Sequence, residues 1–384
     1  MHDVIVIGGG PGGYAAGIRA SQLGARVALL EPTHIGGICV NRGCIPAKIW
    51  MQAARRKRMI ERADVFGIKA KIETIDLQAI VDRRNGVPSD LQMGMAGLCK
   101  SYGIDVIAEQ GILQNPREVK IEGKTLEAKK MIIATGCALQ VPDIPGMAEA
   151  AMTMDDMLGM TQVPASLLIQ GAEAMDVEMA VIMNTFGAKV YLATDGARIL
   201  PREDGNTSQR IAKALREQGI EVLPRLTLKS MKKSKGGYEA ALSGRENKTL
   251  AVARVSTSTR RPNTDLGLDQ AGVELDEDGF IAVNDHLETS AEGIYAIGDV
   301  TGGWMLSYAA TSMGVTAAEN AMGQTSAFNS NLVPGVFGPC RKRLRWEFRK
   351  KMPIKWTWML RLAIVPWLLT VWPWLMMKWT GISR

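Results

Sequence analysis

The chain has 384 residues, of which 46% are hydrophobic and 22% are charged. This length gives room for two or three folded domains, and the composition excludes an intrinsically disordered chain. The formal net charge is +7, but residues 341–384 hold eleven Lys/Arg against one acid, a balance of +10. Residues 1–340 therefore carry a charge of about −3, which argues against a body that binds nucleic acid.

Five cysteines lie at positions 39, 44, 99, 137 and 340. An odd number in a chain of this length does not fit the disulfide framework of a small secreted protein. The amino terminus enters an apolar run directly, without the basic region and cleavage site of a signal peptide. We therefore expect a cytoplasmic body, and we predict no metal site.

The first elements in chain order follow a βαβ pattern. A β-branched run at residues 3–7 predicts a buried strand, and it is followed by a glycine-rich turn at residues 8–13. A helix is predicted at residues 14–23 and a second strand at residues 26–30, which ends at Glu31. Strand, helix and strand in this order indicate an α/β fold with a parallel sheet.

The pattern recurs further along the chain. Periodicity predicts helices at residues 45–62, 77–101, 177–186, 207–218 and 305–322, and strands at residues 131–135, 167–170, 189–193 and 279–300. We therefore predict an α/β fold of two nested Rossmann-like domains, plus a Trp-rich basic C-terminal tail. The first domain combines residues 1–145 and 265–325, the second comprises residues 146–264, and a linker at residues 326–340 leads to the tail, residues 341–384.

The first turn carries a dinucleotide-binding motif. Gly8 permits the turn, Gly10 lets the backbone approach a pyrophosphate, and Gly13 lets the helix pack closely on the strand. The phosphates would then lie at the helix N-terminus, and Glu31 would accept a hydrogen bond from a ribose hydroxyl. The surrounding strand, helix and acid make this motif specific.

The segment GGICVNRGCIPAK, residues 36–48, predicts a redox site. Cys39 and Cys44 lie five positions apart at the start of a helix that Pro46 helps to begin. A helix N-terminus lowers the pKa of a thiol, and the thiolate is the reactive species. Two thiols at this spacing can alternate between a dithiol and a disulfide.

Residues 36–48 resemble the active-site signature of the class I pyridine nucleotide–disulfide oxidoreductases, which include dihydrolipoamide dehydrogenase and mercuric reductase. The resemblance extends over about residues 3–337. It implies that Cys44 faces a flavin and that Cys39 exchanges with the substrate. It also implies that Lys48 lies near the flavin ring and pairs with Glu178.

The same resemblance implies that FAD is the cofactor. Ala134-Thr135-Gly136 resembles the family's crossover segment, and residues 295–306 resemble its second FAD motif, in which Asp299 binds the ribityl chain. The residues expected to bind FAD are Gly8, Gly10, Gly12, Gly13, Glu31, Gly37, Lys48, Gly111, Thr135, Gly136, Asp299, Met305 and Leu306.

The second dinucleotide turn departs from the family pattern. Gly171 is kept, but Glu173 and Asp176 replace the second and third glycines. Thr194 stands where the ribose-binding acid is expected, and Asp195 is displaced from that position by one residue. Glu173 would place a negative charge where the pyrophosphate must approach. Two unit charges about 4 Å apart repel by roughly 4 kcal/mol at an effective dielectric of about 20. Thr259 further replaces the family's glycine before RRPNT. We therefore expect NAD(P)H to bind weakly or not at all; the alternative is a shifted binding mode.

The family's carboxy-terminal interface domain, which supplies a His–Glu pair to the partner subunit, has no counterpart in the pattern of residues 338–384. His2, His34 and His286 are the histidines of the sequence, and none lies in a matching motif. We therefore expect no rapid lipoamide reduction by the family's usual route, because general acid–base catalysis contributes about 10²–10⁴-fold. The oligomeric state stays open.

The tail holds seven of the nine tryptophans, and its basic cluster precedes an uncharged run at residues 362–377. These sixteen residues are fewer than the ~20 that span a bilayer, and Pro366 and Pro373 would kink a helix. A basic patch beside a Trp-rich apolar stretch favours peripheral association with a membrane interface. A tilted span, or packing of the tail on the body or on a partner, are the alternatives.

Three functions are compatible with these features. The first is a membrane-associated flavin-dependent disulfide oxidoreductase that acts on a small-molecule or protein dithiol, with a quinone or membrane protein as electron acceptor. The second is a conventional NAD(P)H-dependent enzyme resembling dihydrolipoamide dehydrogenase. The third is an FAD-binding electron-relay subunit of a larger complex.

Overall fold

The computed structural model describes residues 1–337 and 343–345. Among these residues, 1–330, 336, 337 and 343 form a large compact unit, and 331–335, 344 and 345 belong to a second, small unit. The tail predicted at residues 341–384 lies outside the described residues, apart from a short strand at Arg343–Arg345. Within the described part of the chain, no helix combines the length and the apolar character needed to cross a bilayer.

Helices and strands alternate along the chain. The helices of the described residues are α1 (Pro11–Gln22), α2 (Gly37–Asn41), α3 (Cys44–Glu61), α4 (Leu77–Ser101), α5 (Met147–Ala150), α6 (Met154–Gly159), α7 (Ala174–Thr185), α8 (Gly205–Glu217) and α9 (Ser307–Ala321). The strands are β1 (His2–Ile7), β2 (Val27–Leu30), β3 (Asp105–Ile107), β4 (Ile112–Asn115), β5 (Glu118–Ile121), β6 (Lys124–Ile133), β7 (Cys137–Leu139), β8 (Ala151–Met152), β9 (Ser166–Gln170), β10 (Lys189–Thr194), β11 (Glu221–Pro224), β12 (Leu226–Ser234), β13 (Gly237–Gly244), β14 (Lys248–Val252), β15 (Arg254–Thr257), β16 (Arg260–Pro262), β17 (Ile294–Ala296), β18 (Gly335–Phe337) and β19 (Arg343–Arg345). Short 3₁₀ turns lie at Ala63–Phe66, Asp269–Ala271, Gly298–Thr301 and Ser330–Leu332.

The first sheet is mostly parallel. Its parallel strands run in the order β3–β2–β1–β6–β17, and β5 and β4 extend it from β6 as an antiparallel pair. Val6 lies opposite Leu29 on one side and Ile132 on the other, and all three are buried. Because both faces of a parallel sheet are covered, these strands read as continuous apolar runs in the sequence.

The second sheet is also parallel, in the order β11–β10–β9–β15–β8, and an antiparallel sheet of β12, β13 and β14 accompanies it. The chain leaves the first sheet after β6 and returns to it after β15. At these two passages β7 and β16 pair, with Ala138 opposite Arg261. The predicted α/β class with two nested Rossmann-like units is therefore confirmed; the domain boundaries stay predictions.

Helix α3 joins the core of the second sheet to the region of the cysteines. Trp50 of this helix is fully buried, and its Nε1 donates a hydrogen bond of 2.7 Å to the carbonyl oxygen of Leu158. Phe186 meets the Trp50 ring edge-on, with 5.2 Å between the ring centroids. A buried tryptophan of this kind contributes about 3–5 kcal/mol relative to alanine. The helix that begins at Cys44 is thus held rigidly on the core.

The expectation of strand structure over residues 279–300 is wrong for most of the segment, since Ile294–Ala296 is its one named strand. The side-chain oxygen of Asn284 accepts hydrogen bonds from the backbone N–H groups of His286 and Glu288, at 2.9 and 3.1 Å. These bonds give the backbone the partners that a neighbouring strand would otherwise supply, so the chain turns here.

Candidate active site

The first glycine-rich turn connects β1 directly to α1. A Cβ added to Gly8, which has φ +108°, would lie 2.3 Å from the carbonyl oxygen of Ala134, and a Cβ added to Gly13 would lie 1.8 Å from the carbonyl oxygen of Gly8. Both positions therefore require glycine, because the neighbouring atoms belong to the backbone. The helix N-terminus is thereby brought to the end of the strand, as an anion-binding turn requires.

Glu31 lies beside this turn at the end of β2. Its Oε2 accepts a hydrogen bond of 2.9 Å from the Gly9 N–H, and its Oε1 accepts bonds of 3.0 and 2.7 Å from the N–H and hydroxyl groups of Thr33. The carboxylate is therefore fixed in orientation before any ribose contacts it.

A cavity of about 950 Å³ opens beside the turn. Its size is within the range of cavities that hold small ligands and cofactors. The structure brings twelve of the predicted site residues to its walls: Gly8, Gly10, Gly12, Glu31, Gly37, Cys39, Cys44, Gly111, Thr135, Gly136, Asp299 and Met305. The other four do not line it: Gly13, Lys48, Glu178 and Leu306.

Two further glycines of the wall have close neighbours where a side chain would stand. A Cβ added to Gly37, with φ +57°, would lie 2.8 Å from the Cα of Gly10, and one added to Gly111 would lie 2.5 Å from the Leu30 side chain. A side chain at Gly37 would press on the backbone of the first turn, whereas one at Gly111 would force the Leu30 side chain to shift. These two glycines therefore preserve the shape of the cavity beside the dinucleotide motif.

Asp299 lies in the 3₁₀ turn Gly298–Thr301 and contributes a carboxylate to the cavity. Burial raises the pKa of Asp299, and the guanidinium of Arg260 opposes that rise, with 2.6 Å between Arg260 Nη1 and Asp299 Oδ2. Nearby, the Thr135 hydroxyl donates to the Asn263 carbonyl oxygen, and the Asn263 amide donates to the Thr135 carbonyl oxygen, both at 2.8 Å. These bonds join the two passages between the sheets.

The two cysteines are carried by separate helices, which differs from the predicted single helix start. Cys39 lies in α2 and Cys44 is the first residue of α3. Their thiols are within hydrogen-bonding distance, and the bond from Cys39 lowers the pKa of Cys44, while burial opposes this. The pKa of Cys39 is raised, first by that bond and then by burial. Cys44 is therefore the more acidic thiol of the pair.

Lys48 lies one helical turn beyond Cys44 in α3, and it pairs with Glu178. Lys48 Nζ is 2.5 Å from Glu178 Oε2, and the Glu178 side chain is only 5% exposed. The ammonium group also lowers the pKa of Cys44, and Glu178 opposes that effect. Because Glu178 belongs to α7, this ion pair connects α3, the helix that begins at Cys44, to the domain of the second sheet.

Three residues of the site were missed from the sequence. Arg260 pairs with Asp299, and Cys137 donates from its sulfur to the Asp299 carbonyl oxygen at 3.1 Å; burial raises the pKa of Cys137 to about 12. Ser307, the first residue of α9, lines the cavity and donates a hydrogen bond to Cys39, which counteracts the rise in the pKa of Cys39. The sequence signal for Ser307 was its position directly after Met305 and Leu306.

Comparison with known proteins identifies the family. A family model described as pyridine nucleotide-disulphide oxidoreductase matches residues 2–314. The chain belongs to this family. Dihydrolipoyl dehydrogenase from Acholeplasma laidlawii is 37% identical over 327 residues, which cover 84% of this chain and 96% of that protein. Dihydrolipoyl dehydrogenase from Thermus scotoductus is 37% identical over 341 residues, which cover 87% of this chain and 74% of that protein.

A solved structure gives the same result. The HOCl-induced flavoprotein disulfide reductase RclA from Escherichia coli matches with a TM-score of 0.75 and 27% identity, over 87% of this chain and 74% of that one. The resemblance found in the sequence is therefore confirmed. The chain is a flavin-dependent disulfide oxidoreductase, and its cofactor is FAD. The cavity fits this group, since the glycine turn, Glu31 and Asp299 lie along its walls.

Replacing Ser307 with alanine is expected to raise the pKa of Cys39 and to slow thiol exchange at neutral pH by about tenfold, because a hydrogen bond to a charged sulfur is lost. The measurement is the pH dependence of flavin reoxidation by lipoamide in the pre-reduced enzyme, where Cys39 is a free thiol; the rise of this rate with pH should shift to higher pH. Ser307→Thr, which keeps the hydroxyl, serves as the control. An unchanged pH profile in Ser307→Ala would remove Ser307 from this role.

Proposed function

We propose that this enzyme moves electron pairs between a dithiol or disulfide substrate and FAD through Cys39 and Cys44. The observation that carries the proposal is the pair of neighbouring thiols on the wall of a cavity that also contains a dinucleotide-binding turn. FAD, when bound, supplies the centre that accepts or returns the two electrons. The protein holds FAD in position, places a positive charge near the cysteines and provides the two thiols.

The residues proposed to hold FAD act in three ways. The turn from Gly8 to Gly13 and the N-terminus of α1 hold the pyrophosphate with backbone N–H groups. Glu31 accepts from a ribose hydroxyl, and Asp299 from the ribityl chain. The remaining residues shape or flank the cavity: Gly37, Lys48, Gly111, Thr135, Gly136, Met305 and Leu306.

The two cysteines divide the thiol chemistry between them. A substrate dithiol reduces the Cys39–Cys44 disulfide by exchange, so that two electrons and two protons pass to the enzyme and the substrate becomes a disulfide. Cys39 is proposed to exchange with the substrate, since its hydrogen bond to Ser307 stabilises the sulfur that leaves or attacks. Cys44, whose pKa is lowered, is proposed to face the flavin as a thiolate.

Lys48 and Glu178 are proposed to set the charge at this thiolate. The buried carboxylate of Glu178 holds the Lys48 ammonium near Cys44, where the positive charge favours the ionised sulfur. The half-exposed Lys48 side chain would move freely without that partner. The Lys48–Glu178 pair therefore holds a positive charge near Cys44 and does not itself react with the substrate.

Anaerobic titration of the purified FAD-containing protein with dihydrolipoamide tests the proposed function. We expect bleaching of the flavin bands, with two electrons taken up by the cysteines and two by the flavin. Dithionite provides the control for full reduction. Flavin bands that stay unchanged with dihydrolipoamide, but bleach with dithionite, would contradict a dithiol substrate of this kind.

We further propose that the enzyme works at the cytoplasmic surface of a membrane, where a quinone or a membrane protein takes its electrons. The support is in the sequence of residues 341–384, with eleven Lys/Arg and seven tryptophans. Clustered basic residues attract anionic lipid headgroups, and tryptophan is enriched at membrane interfaces.

Flotation with vesicles tests this second proposal. The full chain is expected to float with vesicles that contain anionic lipid and to dissociate as salt is raised, because exposed charges are screened. A chain that ends at residue 340 should stay unbound. If the shortened chain floats equally well, the tail is not the anchor.

A further inference from the structure

The second glycine-rich turn is built differently from the first. A Cβ added to Gly13 of the first turn would lie 1.8 Å from the carbonyl oxygen of Gly8, so that helix and strand are in direct contact. Asp176 holds the place of Gly13 in the second turn, and its side chain is accommodated with the residue only 3% exposed. The backbone at the start of α7 is therefore arranged differently from that at the start of α1, with room for a side chain against Gly171.

The carboxyl group of Asp176 fills the space against Gly171. A Cβ added to Gly171 would lie 2.3 Å from Asp176 Oδ2. The same oxygen accepts a hydrogen bond of 2.9 Å from the Glu173 N–H and one of 3.0 Å from the Ser258 hydroxyl. A donor at the N-terminus of α7 is thus taken by the chain's own anion. In a dinucleotide-binding turn such donors are free for a pyrophosphate.

Burial raises the pKa of Asp176 to about 6, and the Ser258 hydrogen bond opposes that rise. A pyrophosphate placed against Gly171 would meet the buried Asp176 carboxyl group, which already fills that space, as well as the exposed carboxylate of Glu173. The negative charge of Glu173 would repel the phosphates.

The position of the ribose-binding acid gives an independent observation. Thr194 ends β10 where that acid is expected, and it is only 2% exposed. Its hydroxyl oxygen accepts a hydrogen bond of 3.2 Å from the Gly196 N–H. The Thr194 hydroxyl is engaged in this local turn, so it cannot do the work of a carboxylate that accepts hydrogen bonds from both ribose hydroxyls.

We propose that Asp176 is a built-in plug of the second dinucleotide site, so that neither NADH nor NADPH exchanges electrons with the flavin of this enzyme. The inference rests on the proposed dithiol–FAD function and deepens it. It implies that the molecule exchanging electrons with the flavin, besides the dithiol, is not a nicotinamide nucleotide. The family's nicotinamide does not fit the residues that this chain places at the second turn.

Equilibrium binding of NAD⁺ to the FAD-containing full chain tests the plug without relying on turnover. Calorimetry should detect no binding tighter than about 1 mM, the weak end of the usual range for enzyme substrates. In parallel, NADH and NADPH should not bleach the flavin in a saturable way under anaerobic conditions. Saturable binding or bleaching with half-saturation below about 1 mM would overturn the proposal.

A double variant, Glu173→Gly with Asp176→Gly, should restore space and remove both charges. We expect NAD⁺ affinity to rise by about tenfold or more relative to the natural chain. The matched control is Glu217→Gly with Glu246→Gly, which removes two exposed charges of the same unit away from the turn and should leave affinity unchanged. Equal affinity in both double variants would overturn the plug; if the first does not retain FAD, the natural chain's titration decides alone.

The two proposals fail separately. If dihydrolipoamide does not reduce the flavin but NAD⁺ still does not bind, the dithiol function fails and the plug stands. If dihydrolipoamide reduces the flavin and NADH does so as well, the plug fails and the dithiol function stands.

Discussion

Replacing Cys44 with serine is expected to abolish electron transfer between a dithiol and the flavin. Cys44 is the more acidic thiol of the pair, because the hydrogen bond from Cys39 and then the charge of Lys48 lower its pKa. A serine hydroxyl can neither form the disulfide nor ionise at neutral pH. We expect the rate of flavin reduction by dihydrolipoamide to fall by about a thousandfold or more. Stopped-flow absorbance at the flavin bands measures this rate.

The same variant should lose any long-wavelength absorbance of a thiolate against the flavin. Cys39→Ser is the matched control, because its hydroxyl still donates a hydrogen bond to Cys44 and leaves that thiolate in place. This variant should keep the long-wavelength absorbance and lose substrate exchange. A long-wavelength band that persists in Cys44→Ser would show that Cys44 is not the sulfur beside the flavin.

Much of the fold could be predicted because local sequence determines it. Strand β1, the turn and α1 follow from an apolar run, three glycines and a helical period, and the helix at residues 77–101 was placed with its correct ends. The segment around Asn284 could not be predicted in this way. Its apolar residues have strand periodicity, but the Asn284 side chain takes over the hydrogen bonds that a strand would make.

In the candidate site, too, some features follow from local sequence and others depend on contacts between distant segments. Cys39, Cys44 and Glu31 adjoin the ends of strands or helices, so their place beside the cavity follows from the elements themselves. The partner of Asp299 is Arg260, 39 positions away, and the partner of Asp176 is Ser258, 82 positions away. Such contacts arise only when the second passage between the sheets brings distant segments together. Composition and periodicity carry no information about them.

Replacing Gly13 with alanine is expected to yield a protein that does not retain FAD. The added Cβ would lie 1.8 Å from the carbonyl oxygen of Gly8, a backbone atom that cannot turn aside. Helix α1 would have to move away from β1, and its N-terminus would leave the position from which it binds phosphate. Overpacking at such a contact costs about 1–3 kcal/mol, so the melting temperature should fall as well. The ratio of FAD to protein and a thermal melt measure both effects.

Two other glycines separate the loss of cofactor from the loss of stability. Gly17 lies one turn further along α1, where an added Cβ would meet Ile104 and Val27 at 3.5 and 3.7 Å, which are ordinary contacts. Gly17→Ala should therefore keep FAD and gain up to about 1 kcal/mol from helix propensity. Gly10→Ala has room for its Cβ, with the nearest atom 4.0 Å away, but projects it into the cavity. It should fold normally and bind FAD weakly. Full FAD content and an unchanged melting temperature in Gly13→Ala would mean that the close contact of α1 with β1 does not hold the cofactor in place.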